Sequence, residues 1–143
     1  EEKKKKEEKD KSMKMSERLN LYKDRQRNNL SENAYGAIVR LRMDNSHPLG
    51  FGYDKEYLSL KLRNRRYAYL ESGWNVGTTQ DSTSIVSGFV GFKAKQNFRE
   101  SLVFGVEEIG RGSVVYMVDN PLFRGFWYNG KLLFGNAVFL VGN

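Results

Sequence analysis

From residue 31 onward, the chain consists of short apolar runs separated by Gly, Asn, Asp and Pro, and this pattern constrains its fold most strongly. Such runs are typical of short strands joined by tight turns. Residues 1–30 differ, because they hold eleven Lys/Arg, seven Asp/Glu and no glycine. We therefore expect a charged helical leader or linker over 1–30 and one domain with a modest core over 31–143.

Alternation of apolar and polar residues predicts a half-buried strand over 37–43, with Val39, Leu41 and Met43 on its inner face. The turn residues Gly110-Arg-Gly predict a tight turn before the strand that follows them. The same patterns predict further strands over 66–70, 84–90, 101–106 and 113–118, and a short helical stretch over 93–99. The run over 113–118 has the most continuous apolar character and is expected to be buried.

A second alternating run, over 57–62, predicts another half-buried strand, with the run over 66–70 as its hairpin partner. Its leucines are expected to face the core, because apolar side chains gain most from burial. The inner face would then hold Leu58, Leu60 and Leu62, and the outer face Ser59, Lys61 and Arg63.

Helical spacing of apolar residues appears at both ends of the chain. Residues 15–30 predict a thin amphipathic helix, and residues 131–140 predict a core helix. In the second helix, Leu133, Ala137 and Leu140 share one face, which we expect to pack against the sheet.

The absence of cysteine and the single histidine, His47, exclude most hydrolytic chemistry. Disulfides and cysteine nucleophiles are impossible, and zinc sites or Ser-His-Asp catalysis usually require more histidines or a suitable acidic partner. His47 is interpreted as a structural hydrogen-bonding residue in a loop. The adjacent acids Glu107 and Glu108 would point to opposite faces of a strand, which does not suit a glycosidase pair. We predict no catalytic and no metal-binding residue in this chain.

Two surface clusters are candidate binding sites. A basic cluster beside two tyrosines is typical of a nucleic-acid patch, although lysine and arginine on a strand can also simply face water. Its residues are Lys61, Arg63, Arg65 and Arg66. A second cluster of aromatic residues precedes the last helix and is too crowded to be entirely buried, which indicates a contact site for a partner. Its candidate interface residues are Arg124, Trp127 and Tyr128.

Several ordered motifs resemble a known family. They are Asn-Ser-His-Pro-Leu-Gly-Phe-Gly-Tyr from residue 45, Gly-Arg-Gly-Ser-Val-Val-Tyr from residue 110, Asp-Asn-Pro-Leu-Phe-Arg-Gly-Phe-Trp from residue 119, and Leu-Leu-Phe-Gly-Asn-Ala-Val-Phe from residue 132. Residues 15–143 resemble the C-terminal region of large bacterial zinc carboxypeptidases of the carboxypeptidase A type, as found in Bacteroidetes. In that family, a domain similar to class I glutamine amidotransferases follows the catalytic domain.

The resemblance implies an α/β fold, namely the C-terminal part of a glutamine amidotransferase-like (flavodoxin-like) three-layer fold with a β-rich insertion; the alternative is α+β. It implies a non-catalytic accessory domain, or only the last part of one, that braces the catalytic domain or assists substrate binding. Zinc is expected only in the parent's catalytic domain, because no motif of the family's zinc site has a match here. The implied partners are that domain and the parent's peptide substrate, in the periplasm or outside the cell.

The alternative function is a basic nucleic-acid-binding module that uses Arg63, Arg65 and Arg66. It is less favoured than the accessory role. No apolar run is long enough to span a membrane as a helix.

Overall fold

A computed structural model describes residues 19, 21–80 and 84–142 of the chain. Most of the predicted leader, including residues 1–18, lies outside the described residues. Within them, helices accompany one curled antiparallel sheet, which is a small mixed domain compatible with the α+β alternative. The strands are β1 (Ala34–Met43), β2 (Glu56–Lys61), β3 (Trp74–Thr79), β4 (Ile85–Val90), β5 (Ser101–Ile109) and β6 (Gly112–Met117). The α-helices are α1 (Arg25–Glu32) and α2 (Asn129–Phe139).

Strand β1 pairs with three other strands of the six-stranded sheet. The strand order is β2-β1-β3-β5-β6, and β4 is also paired to β1. One edge of β1 pairs with β2 in a regular register that matches Ile38 with Leu60. The other edge pairs first with β4 and then with β3, through register shifts that bend the strand. At this bend, a side chain at Gly88 would meet the Gly36 carbonyl oxygen at 2.3 Å, so the close approach requires glycine.

The core lies between the inner face of the sheet, α2 and the loop after β1. Val39 and Leu41 are fully buried and Met43 nearly so, as the alternation predicted, because a strand buried on one face hides every second side chain. Phe104 of β5 packs edge-to-face on the Tyr57 ring at 5.3 Å between ring centroids. The buried hydrophobic residues are Ala34, Ala37, Val39, Leu41, Met43, Leu49, Tyr57, Val76, Val90, Ala94, Phe98, Leu102, Val103, Phe104, Val106 and Leu133.

Several predicted elements agree with the structure. The strand predicted over 37–43 lies inside β1, and the helix predicted over 131–140 is α2 with its start two residues earlier. The predicted turn at Gly110-Arg-Gly closes the β5–β6 hairpin, where Ile109 pairs with Gly112. Gly110 there has a φ of 64°, which glycine adopts without strain.

Other predictions were wrong. The segment 62–70 forms no strand; it crosses β5, where the Leu102 amide donates to the Tyr67 carbonyl. Strand β6, which was expected to be buried, is only half-buried, and Val114 is 40% exposed. The reason is that β6 lies at the edge of the sheet and, in the described part of the chain, pairs with β5 alone. By contrast, the short helical stretch predicted over 93–99 is confirmed, as the 3-10 helix Ala94–Phe98. The described part of the predicted leader helix buries no residue, and its apolar side chains, such as Tyr22 and Leu30, face solvent.

Candidate functional site

The polar face of β2 points inward, opposite to the prediction. Ser59 and Lys61 are buried to 2% and 1% exposure, whereas Leu58 and Leu62 are about two-fifths exposed. The physical reason lies sixty residues further along the chain. The carboxylate of Asp119, in the turn after β6, contacts both polar side chains: it accepts a hydrogen bond from Ser59 and forms an ion pair with Lys61. A buried amine is tolerated where it is paired, so Asp119 permits the orientation that also buries Tyr57 against Phe104.

The buried cluster is compact. The Lys61 ammonium nitrogen lies 3.1 Å from Oδ1 of Asp119, and the Ser59 hydroxyl donates to Oδ2 at 2.6 Å. The ammonium also lies 5.7 Å from the centroid of the Phe98 ring. Apart from this ion pair, the ammonium makes no hydrogen bond within the described residues. Because the nitrogen has almost no accessible surface, its ion pair with Asp119 is a structural contact of the core.

A cavity of about 240 Å³ opens onto this cluster. The loop after β2 supplies Arg63, Arg65 and Tyr67, and the turn after β6 supplies Asn120. The structure therefore brings together Lys61, Arg63 and Arg65 of the predicted basic cluster. Arg66 is exposed but does not line the cavity.

The predicted aromatic interface divides into two kinds of residue. Trp127 is half-buried, and its indole nitrogen donates to the Leu58 carbonyl at 3.2 Å, so it holds the segment against β2. Arg124 and Tyr128 are exposed. Arg124 has a φ of 50° and lies 5.3 Å from the Phe123 ring, whereas the Tyr128 ring carries the Lys131 ammonium at 3.8 Å.

Helix α2 is apolar on both its inner and its outer side. Leu133 is fully buried, and Asn136 is anchored because its side-chain amide donates to the carbonyls of Leu49 and Phe51 at 3.1 and 2.7 Å. The outer side nevertheless carries large apolar residues that are two-fifths exposed or more. We define the α2 outer face by Leu132 on one flank of the exposed side and by Phe134 and Val138 on the other.

Another cleft, of about 570 Å³, lies at the loop after β1 and the β5–β6 turn. His47 lines it, and Nδ1 of this side chain accepts a hydrogen bond from the Leu49 amide at 3.0 Å. The Trp74 ring lies 6.0 Å from the imidazole. The role of His47 as a capping residue in a loop matches the structural interpretation of the sequence. Glu108 lines this cleft, whereas Glu107 accepts from Ser72 and Tyr116.

Burial and hydrogen bonding shift several pKa values. Burial lowers the pKa of His47, and the nearby Asp44 carboxylate opposes this only in part. The Ser46 hydroxyl, which donates to Asp44 at 2.6 Å, lowers the pKa of that carboxyl. Burial raises the pKa of Tyr57 at the core beneath β2. These shifts favour a neutral imidazole and a charged Asp44 near neutral pH.

Among residues 19, 21–80 and 84–142, no cluster of three His, Cys, Asp or Glu side chains could hold a metal ion. No helix in the same ranges is long and apolar enough to cross a membrane. No family model matches the chain, and neither a curated protein nor a solved structure matches it.

The sequence analysis missed the partners of Lys61. It assigned no contact to Asp119 or Asn120, and it placed Ser59 on the outer face of its strand. One signal was present: an acidic residue directly after an apolar strand is well placed to meet a lysine on a neighbouring element. Nothing in the local sequence of β2 identifies which element that is.

Proposed function

We propose that this chain is a non-catalytic accessory domain of a zinc carboxypeptidase-like metallopeptidase, which braces the catalytic domain or assists its substrate binding. The observation that carries the proposal is the α2 outer face. Helices that are apolar on all sides are normally covered on all sides, because exposed apolar area costs about 25 cal/mol per Å². In the described part of the chain, the loop after β1 packs on the side that holds Leu133 and Asn136, and the opposite side stays exposed.

The residues around α2 extend the apolar surface. Phe126 and Tyr128 are 55% and 74% exposed just before the helix, and Leu58 of β2 lies beside its first turn. An exposed surface of this kind is typical of an interface between protein domains. The α2 helix itself has one charged residue, Lys131, which is also consistent with a contact that excludes water.

The donors present do not suit a catalytic zinc ion in this chain. Nδ1 of His47 is engaged by the Leu49 amide, and Asp44 is engaged by Ser46. In this proposal, zinc and the hydrolytic step belong to the partner domain, in the periplasm or outside the cell. The finer fold assignment, a part of a glutamine amidotransferase-like (flavodoxin-like) three-layer fold, is also a proposal. All described strand pairs are antiparallel, so they would correspond to its β-rich insertion.

The test is association with the zinc carboxypeptidase-like domain encoded in the same reading frame, measured by calorimetry with the two parts expressed separately. Val138→Lys should weaken association at least about tenfold, because a charge would be placed in an apolar contact. Val86→Lys is the matched control, since Val86 of β4 is 49% exposed and Val138 is 54% exposed. Equal affinity of both variants, or a reading frame with no such domain, would contradict the proposal.

The nucleic-acid alternative has weaker support. Of its three arginines, Arg63 and Arg65 line the cavity, whereas Arg66 is exposed outside it. Micromolar binding of a single-stranded oligonucleotide that is lost in the double variant Arg63→Ala/Arg65→Ala would support this alternative over the accessory role.

A further inference from the structure

The cleft at the loop after β1 points to a ligand site that does not depend on the accessory role. We propose that this cleft binds a carbohydrate, with one sugar ring packed on the exposed indole of Trp74. Hydrogen bonds to the sugar hydroxyls would come from His47, Asp44 and Glu108, which line the same cleft. The observation that carries the proposal is this exposed apolar ring among donors and acceptors that are already held in place.

The register of the sheet places Trp74 and Glu108 on one face. Trp74 of β3 pairs with Val106 of β5, and Glu108 lies two residues further along β5. Paired residues point to the same face of a sheet, as do residues two apart on one strand, so all three side chains share a face. Val106 is buried, whereas Trp74 is 55% exposed and Glu108 is exposed. The inner face of the sheet therefore continues past the core and forms one wall of the cleft.

The loop after β1 holds a hydrogen-bond donor at the cleft. Nδ1 of His47 accepts from the Leu49 amide at 3.0 Å, so the proton of the neutral imidazole is on Nε2. The Nε2–H group is the donor that this side chain has left for a ligand. The imidazole and the Trp74 indole lie 6.0 Å apart between ring centroids, which places the donor beside the apolar ring.

The same loop supplies a fixed acceptor. The Ser46 amide and hydroxyl donate to Oδ1 of Asp44 at 3.0 and 2.6 Å, which orients the carboxylate and leaves Oδ2 able to accept. A charged acceptor makes stronger hydrogen bonds with hydroxyl groups than a neutral one. Because these groups are held before a ligand arrives, binding orders few side chains, and this preorganisation favours affinity.

The mixture of charges in the cleft favours a neutral ligand over an ionic one. Asp44 and Glu108 would repel an anion, and Arg111 in the β5–β6 turn would repel a cation. Hydroxyl groups both donate and accept, so one sugar can satisfy the two carboxylates and the Nε2–H group of His47 together. The C–H groups on one side of a sugar ring are apolar and suit burial against an indole. A carbohydrate therefore matches the cleft better than an ammonium or a phosphate.

The cleft also has room for such a ligand. Its volume of about 570 Å³ falls within the range of roughly 300–1,000 Å³ that is typical of small-molecule sites. Its other lining residues come from the β5–β6 turn and from residues 140–142, which follow α2. A ligand in the cleft would therefore contact three segments that are far apart in sequence.

The experiment titrates the 143-residue chain with cellobiose, maltose and diacetylchitobiose by calorimetry. We expect saturable binding of at least one of these disaccharides, with a dissociation constant on the order of 1 mM or tighter. Tetramethylammonium, inorganic phosphate and triglycine are the comparison probes for a cation, an anion and a peptide. In isotope-labelled protein, the indole N–H NMR signal of Trp74 should shift on binding. The signal of Trp127 should not shift, because Trp127 does not line the cleft.

Two pairs of matched variants separate the cleft from the rest of the surface. Trp74→Ala should weaken binding at least about tenfold, because it removes the ring on which the sugar packs. Phe89→Ala is its control, since Phe89 of β4 is 50% exposed and does not line the cleft. Glu108→Gln should weaken binding about fivefold, because it removes a charged acceptor. Glu71→Gln removes the same charge outside the cleft and should change affinity less than about twofold.

Three results would overturn the proposal. One is no saturable binding of any of the three disaccharides. Another is tighter binding of tetramethylammonium, phosphate or triglycine than of every disaccharide, which would assign the cleft to a different class of ligand. The third is an equal loss of affinity in Trp74→Ala and Phe89→Ala, which would place the sugar outside the cleft. None of these results bears on association with the catalytic domain, so the two proposals fail separately.

Discussion

Replacement of Asp119 by asparagine should destabilise the domain strongly, because it removes the counter-charge of a buried lysine. Asparagine keeps the size of the side chain and an oxygen that can accept from Ser59, so the change isolates the charge. At the observed 3.1 Å, two unit charges attract each other by about 5 kcal/mol for an effective dielectric constant of about 20. Breaking a buried pair typically costs about 3–5 kcal/mol. We expect a loss in that range.

The double variant Lys61→Met/Asp119→Asn tests whether the loss comes from the pair. Methionine has a similar length and leaves no buried charge, so the double variant should lie within about 2 kcal/mol of the wild type. Its stability should be much greater than the sum of the two single changes predicts. The assay is urea unfolding followed by far-ultraviolet circular dichroism, because Trp127 lies too near β2 for fluorescence to be neutral. A loss below about 1 kcal/mol for Asp119→Asn, or strict additivity, would refute the inward orientation of Lys61.

Three further outcomes are expected in the same unfolding assay. Leu133→Ala should cost about 2–5 kcal/mol and Leu132→Ala under about 1 kcal/mol, because the first is fully buried and the second is 44% exposed. Gly130→Ala should cost at least about 1 kcal/mol, because a methyl group there would lie 1.9 Å from the Pro121 carbonyl oxygen. Burial lowers the pKa of His47 in the folded state, so its contribution to the free energy of unfolding is fully present above its ordinary pKa and is lost as pH falls towards its folded pKa. Between about pH 7.5 and about pH 5.5, His47→Gln should therefore lose less stability than the wild type.

Strand β1 and helix α2 could be predicted from sequence because their periodicity agrees with their surroundings. In β1, Val39 and Leu41 alternate with arginines that remain exposed, and one core-facing side is enough to explain the pattern. In α2, the three- and four-residue spacing placed the helix correctly and put Leu133 inside. Leu140, which was expected on the same buried face, is 39% exposed because it follows the last helical residue.

Strand β3 and the orientation of β2 could not be predicted, for different reasons. Trp74–Thr79 contains few apolar residues, and its role depends on pairing with β1 and β5 rather than on its own pattern. In β2, the leucine alternation is clear but gives the wrong face. The inward face of β2 instead joins Lys61 to Asp119 and Tyr57 to Phe104, and local periodicity does not record such contacts between residues far apart in sequence.

The reversal of β2 also links the buried pair to the exposed apolar surface. Because side chains alternate across a strand, Lys61 can face the core only if Leu58 and Leu62 face outward. Trp127 and Asn129 both donate to the Leu58 carbonyl, so the start of α2 is fixed beside these outward leucines. A partner that covered the α2 outer face would then shield part of the leucine row as well. The cost of exposing leucine in the separate chain would be recovered on association, at about 25 cal/mol per Å² of apolar area buried.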